Sequence, residues 1–156
     1  MPEYVARLAS PEATAEWGFA LGSLLQAGDL VLLHGELGAG KTTLTRSLAS
    51  GLGVRGPITS PTFVLARTHP SLVGGPSLVH VDAYRLGGDA AALDDLDLDA
   101  SVDSAVTVIE WGAGVAEGLA SSRLDVYLTA QPDESREVRV VPVGERFESL
   151  VAALPR

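Results

Sequence analysis

Residues 30 to 43 read "LVLLHGELGAGKTT". Four apolar residues in a row, Leu30 to Leu33, predict a short strand buried on both faces. From Lys41 onward the period changes: Leu44, Leu48 and Leu52 recur at helical spacing, and Gly51 and Gly53 mark the stop. Between the two lies "GELGAGKT", residues 35 to 42, which matches G-x-x-x-x-G-K-[ST] in full. A strand, a glycine-rich turn and a helix in that order are what a phosphate-binding loop requires.

Each position in the turn has a physical reason. A triphosphate needs several hydrogen-bond donors on a concave surface. Gly38 and Gly40, with Ala39 between them, let the backbone approach closely so that successive N–H groups form a nest. The positive end of the following helix adds to the field there. Lys41 is the only lysine in the chain, against ten arginines. A compact ammonium on a flexible stem enters an opening that a planar guanidinium fork does not. Thr42 offers a hydroxyl to Mg²⁺, and Thr43 offers a second near the α-phosphate. The predicted ligand is therefore a nucleoside triphosphate with Mg²⁺.

Working outward, Ser10-Pro11 predicts a helix start, with a hydroxyl cap and proline in the first turn. Trp17, Leu21, Leu24 and Leu25 follow on one face, and "AGD" at 27 to 29 ends the pattern. After the P-loop helix, "GVRGPITSP" reads as an exposed loop, "TFVLA" as a strand, and "HPSLVGGP" as a turn-rich surface connection. "SLVHVD" (77 to 82) and "AVTVIE" (105 to 110) are further buried strands, each ending in a carboxylate. Six aspartates and no positive charge fill "GGDAAALDDLDLDASVD" between them. That segment lacks the glycine and terminal glutamate of a calcium loop and reads as a solvated face or a docking surface. "RLDVYLT" and "REVRVVPV" alternate as half-buried strands able to pair antiparallel, and "ERFESLVAAL" closes as an amphipathic helix. Without a repeat or linker, residues 1–156 read as one domain. The expected architecture is a three-layer α/β P-loop fold, a mixed but mostly parallel sheet flanked by helices.

A magnesium nucleotide needs a carboxylate at the end of a neighbouring buried strand. Asp82 and Glu110 both qualify, one to hold the ion and the other to orient the attacking water, with their roles unassigned by sequence. In "TSPTF", Ser60 and Thr62 are candidate γ-phosphate sensors, although a plain turn before a strand explains the same residues. His80, two residues before Asp82, reads as a core histidine or one that steadies a ligand. His34 reads as structural. Trp111 either packs on the nucleotide or fills the core.

Composition narrows the rest. The chain carries eleven basic and twenty acidic residues, a formal charge of −9. Such a surface is not built to grip a nucleic-acid backbone by itself, so a role on RNA would run through a partner. Cysteine is absent, which removes disulfides and thiolate sites. No basic flank leads into an apolar run at the N-terminus, and no stretch approaches a membrane span.

The set "GELGAGKTT", "GPITSPTF", "HVDAYRL" and "VIEW", in this order, resembles the TsaE (YjeE) family, small bacterial ATPases of threonylcarbamoyl-adenosine tRNA modification. The likeness spans roughly residues 10 to 140. It implies a cytoplasmic ATPase with slow intrinsic turnover, working with TsaB and TsaD, which transfer a threonylcarbamoyl group to an adenosine beside the tRNA anticodon. tRNA would meet this subunit only through the complex. The resemblance makes Thr42 and Glu110 magnesium ligands and Asp82 an essential acid. It sets Ser10 beside the adenine, Trp111 near the nucleotide and Arg136 near the base. Two departures stand out: Gly112 replaces the family's proline after the tryptophan, and Glu36 replaces an aspartate in the P-loop.

Rival readings remain. A small-molecule kinase would need an acceptor pocket and an arginine-bearing lid, and the loop from Arg67 to Gly75 has one basic residue. A GTPase typically uses an N-K-x-D element, and this chain has no asparagine. A nucleotide-gated assembly factor, with the acidic segment 89 to 103 as its docking face, differs from an ATPase only in turnover.

Overall fold

The computed structural model describes residues 4–35, 40–54, 66–82, 104–110 and 122–155, without the side chains of Ala66 and Asp82. In chain order the elements are β1 (Tyr4–Leu8), α1 (Pro11–Leu24), β2 (Leu30–His34), α2 (Lys41–Leu52), β3 (Ala66–His69), β4 (Ser77–Asp82), β5 (Ala105–Glu110), β6 (Arg123–Ala130), β7 (Arg136–Val143) and α3 (Glu145–Ala152). All seven strands join one sheet in the order β1-β7-β6-β2-β5-β4-β3. The middle is parallel, with β2 between β5 and β6 and β5 also beside β4. Antiparallel pairs close both sides: β3 on β4, β7 on β6, and β1 on β7. Thus β1, β2, β4, β5 and β6 run one way, a mixed and mostly parallel α/β sheet as the sequence predicts.

The run Leu30 to Leu33 is buried throughout because β2 has strands on both edges and side chains packed on both faces. One face of the sheet meets α1, α2 and α3 in a continuous core. Val31, Leu33, Val106, Val108, Leu124 and Val126 from the strands pack there with Leu21, Leu44, Leu48 and Phe147 from the helices. Removing a side chain of that size from water stabilises by about 1.5–3 kcal/mol. Helices α1 and α2 approach closely because α1 presents Gly18 and Gly22. A Cβ on Gly22 would lie 2.0 Å from the Leu48 carbonyl oxygen, and one on Gly18 would lie 2.1 Å from Ser47 Oγ.

Ser10 caps α1 as predicted, its hydroxyl accepting from the Ala13 N–H at 3.1 Å. Trp17 and Leu21 face the core, while Leu25 lies beyond the last turn, at the cap, and is buried from there. Helix α2 ends at Gly53, whose left-handed φ of 81° turns the chain so that the Val54 N–H also reaches the Ala49 carbonyl.

One element and one boundary differ from the sequence reading. Strand β1 carries no prediction, since five residues, "YVARL", are too few for their alternation to stand out. Strand β3 runs to His69, beyond the expected end at Ala66, and the surface connection therefore starts at Pro70. Arg67 and Thr68 are exposed on an edge strand that pairs only with β4, a setting that tolerates polar residues. Residues 62–65 of the expected strand and the acidic segment 89 to 103 lie outside the described residues. Among the described residues no helix is long and apolar enough to cross a membrane.

Candidate functional site

The P-loop lysine sits where strand and helix meet. Gly40 precedes α2 with φ of 103°, a conformation that would strain any residue with a Cβ. Its N-cap is Gly40, which has no side chain to satisfy the first N–H groups of the helix. Lys41 is 6% exposed, and its Nζ donates to the Gly35 carbonyl oxygen at 2.6 Å. The chain thus curls its one ammonium back over the residue that opens the motif. Thr42, next on the helix, is half-buried, and Thr43 is exposed. Gly38 and Ala39 lie outside the described residues, as do Ser60, Thr62, Trp111 and Gly112.

The acids come from the neighbouring strands. Glu110 ends β5, in register with Leu33 of β2 and with Asp82 of β4. Parallel α/β sheets bind ligands at the carboxyl ends of such strands, and Lys41 follows from the same end of β2. Glu110 is 4% exposed, and His80 Nε2 lies 2.5 Å from its Oε2. The spacing of two between His80 and Asp82 suggests a shared strand face, but only folding brings His80 to Glu110, thirty residues away. Asp82 is placed by its backbone alone.

His34, on β2 just before the loop, is held on the other face of the sheet. Its Nε2 is 2.9 Å from Asp125 Oδ1, and its ring stacks on Tyr127 with centroids 4.5 Å apart. Arg139 covers Tyr127 at 4.2 Å, and Arg123 Nε donates to Asp125 at 3.1 Å. This setting suits the structural role read for His34.

A cavity of about 110 Å³ adjoins the P-loop helix, lined by Leu8, Ser10, Pro11, Thr14, Gly40, Thr43, Glu134 and Arg136. It brings together Ser10, Gly40, Thr43 and Arg136, which the sequence scatters over 127 positions. Sequence reasoning missed Thr14 and Glu134. The helical period carries Thr14 to the same side as Ser10, a signal available in advance, whereas Glu134 depends on the turn between β6 and β7. There Glu134 adopts φ of 71°, rare for a residue with a side chain. Asp133 fixes the turn by accepting from the Ser135 N–H (3.1 Å) and hydroxyl (2.5 Å) and from Arg7 (2.7 Å). First the Ser135 hydroxyl and then the Arg7 guanidinium hold the Asp133 carboxyl well below the usual carboxylate range. Arg136 donates to the carbonyls of Glu134 and Ser135. A larger hollow of about 320 Å³, between β1 and the same turn, is lined by none of the motif residues.

Thr42 and Glu110 are hard oxygen donors, the chemistry Mg²⁺ prefers. Among the described residues no three His, Asp or Glu side chains converge on one point. Magnesium in nucleotide sites needs no such cage, since one or two protein oxygens suffice beside water and phosphate.

Residues 8–138 match the family model described as "Threonylcarbamoyl adenosine biosynthesis protein TsaE". The tRNA threonylcarbamoyladenosine biosynthesis protein TsaE of Streptomyces coelicolor is 58% identical over 136 residues, 85% of this chain and 92% of that protein. The Bacillus subtilis protein of the same description is 34% identical over 151 residues, covering 96% and 92%. The crystal structure of Bacillus subtilis YdiB superposes with a TM-score of 0.80 at 29% identity, over 97% of this chain and 93% of that one. With a match that begins at Leu8 and runs through the P-loop, both acidic strand ends and Arg136, the chain belongs to the TsaE family of threonylcarbamoyl adenosine biosynthesis proteins.

Proposed function

We propose that this chain binds and slowly hydrolyses magnesium-ATP, and that this turnover supports a TsaB/TsaD threonylcarbamoyl transferase acting on tRNA in the cytoplasm. The buried Lys41 carries the reading, its ammonium 2.6 Å from the Gly35 carbonyl at an uncapped helix start. A buried cation needs a partner, and phosphate oxygens entering the loop would replace that carbonyl with a stronger one. Thr42 and Glu110 would hold magnesium, which when bound neutralises charge on the outer phosphates. Glu110 or Asp82 would orient the attacking water, accepting a hydrogen bond from it. The cavity beside Ser10, Thr43 and Arg136 would take the base: Leu8 and Pro11 suit a ring face, and Thr14, Glu134 and Arg136 suit its polar edge.

The deciding experiment is hydrolysis of ATP against GTP, with and without TsaB and TsaD. The expected result is slow ATP turnover alone, faster with both partners, and weaker use of GTP. Binding without turnover under any condition would leave a nucleotide-gated assembly factor. A phosphorylated small metabolite among the products would make the chain a kinase.

A further inference from the structure

Sequence leaves His80 either a core histidine or one that steadies a ligand, and folding sets it directly against a proposed metal ligand. Its side chain is fully buried (0% exposed), with Nε2 2.5 Å from Glu110 Oε2. Its other nitrogen, Nδ1, is buried with no hydrogen-bond partner among the described residues. The two facts together select a tautomer. Hydrogen on Nε2 donates to the carboxylate and leaves only a lone pair at Nδ1. Hydrogen on Nδ1 would strand a buried N–H and turn a lone pair toward carboxylate oxygen, which costs more. Glu110 Oε1 takes no hydrogen bond from the described residues. The imidazole therefore ties down one oxygen and leaves the other open.

The backbone reinforces this arrangement. His80 is in register with Val108, and Glu110 is the diagonal neighbour two residues on, so the hydrogen bond crosses from β4 to β5. It does so one strand-repeat before Asp82 and Glu110 stand side by side. Glu110 is buried with the rest of β5 and its backbone is paired in the sheet, which leaves the side-chain torsions, rotation of the carboxylate among them. A hydrogen bond to one oxygen removes that rotation.

We propose that His80 is a positioning residue: its Nε2–H holds Oε2 of Glu110 so that Oε1 meets the magnesium nucleotide already oriented. The inference rests on the proposed magnesium-nucleotide function. It is tested on the full chain with Mn²⁺ as a paramagnetic probe, titrated against ADP-loaded protein, alongside ADP binding in EDTA and thermal melting. His80→Phe keeps the ring volume and removes the donor; it should weaken Mn²⁺ binding about 10–100-fold and leave metal-free ADP binding within about twofold. His80→Gln sets an amide N–H near the Nε2 position and should recover binding to within about threefold of wild type. Wild-type Mn²⁺ affinity in His80→Phe would overturn the proposal, as would a folded His80→Gln no better than His80→Phe. Should His80→Phe not fold, ¹⁵N-histidine spectra of the wild type decide. Hydrogen on Nε2, with a resonance that moves when Mg²⁺ joins ADP, supports it; hydrogen on Nδ1, or an unmoved resonance, overturns it. No ADP binding by the wild type in EDTA would overturn the nucleotide reading as well, a result distinct from failure at His80 alone.

Discussion

Strand β5 is buried at every position from Ala105 to Glu110, whereas β7 alternates along its length. Val138, Val140 and Pro142 are buried, while Arg136, Arg139 and Val141 are half-exposed and Glu137 is exposed. The first lies between parallel neighbours with both faces covered; the second turns one face outward and leads through β1 to the sheet edge. A polar group at the end of a strand like β5 must find a buried partner, and Glu110 finds His80. A polar group on β7 can meet solvent, so Arg136 settles on carbonyls of its own turn. The centre of the sheet thus holds a buried, paired acid, and the edge supplies a cavity wall that meets solvent.

Substitutions at the centre should therefore cost far more than those at the edge. Lys41→Ala should abolish magnesium-ATP binding by calorimetry, and Lys41→Arg should be severely impaired too; normal binding in the arginine variant would show that charge alone suffices. Glu110→Ala should slow metal-dependent hydrolysis by roughly 10²-fold or more, the scale of losing one preorganised electrostatic contact. A near-wild-type rate would move the task to Asp82. Gly22→Ala drives a methyl into the Leu48 carbonyl, 2.0 Å away. Urea melts should record at least about 2 kcal/mol of destabilisation from the forced separation of α1 and α2.

The smallest effect belongs at the edge. Asp133 is exposed, and its carboxyl is depressed by Ser135 and then Arg7. A depressed native value means the carboxylate contributes stability above about pH 4, lost as the pH falls from there toward that value. Asp133→Asn should lower the urea midpoint slightly at pH 7, and the two curves should converge in acid. A constant gap across that range would show that the turn depends on shape and not charge.

The site's legibility follows the same division. "GELGAGKT" was readable as a motif because its pattern lies in consecutive residues, and the burial of Leu30 to Leu33 was readable because a strand covered on both faces has no polar positions. The ends of "SLVHVD" and "AVTVIE" pointed to Asp82 and Glu110 for the same reason. Strand β1 was missed because its five residues rely on β7 for their pairing. Glu134 was missed because its role in the cavity depends on a left-handed turn that Asp133, Ser135 and Arg7 assemble.

By itself the sequence determined the strand–loop–helix unit, the position of its one lysine and the two strands that end in acids, because each depends on residues adjacent in the chain. Tertiary structure decided the order β6-β2-β5-β4, which sets Glu110 in register with Leu33 and Asp82. It also decided the His80 contact and the closure of Ser10 and Arg136 around one cavity. Those choices depend on which strand each segment pairs with, and pairing is settled by burial of the sheet against α1, α2 and α3, a property no local stretch contains.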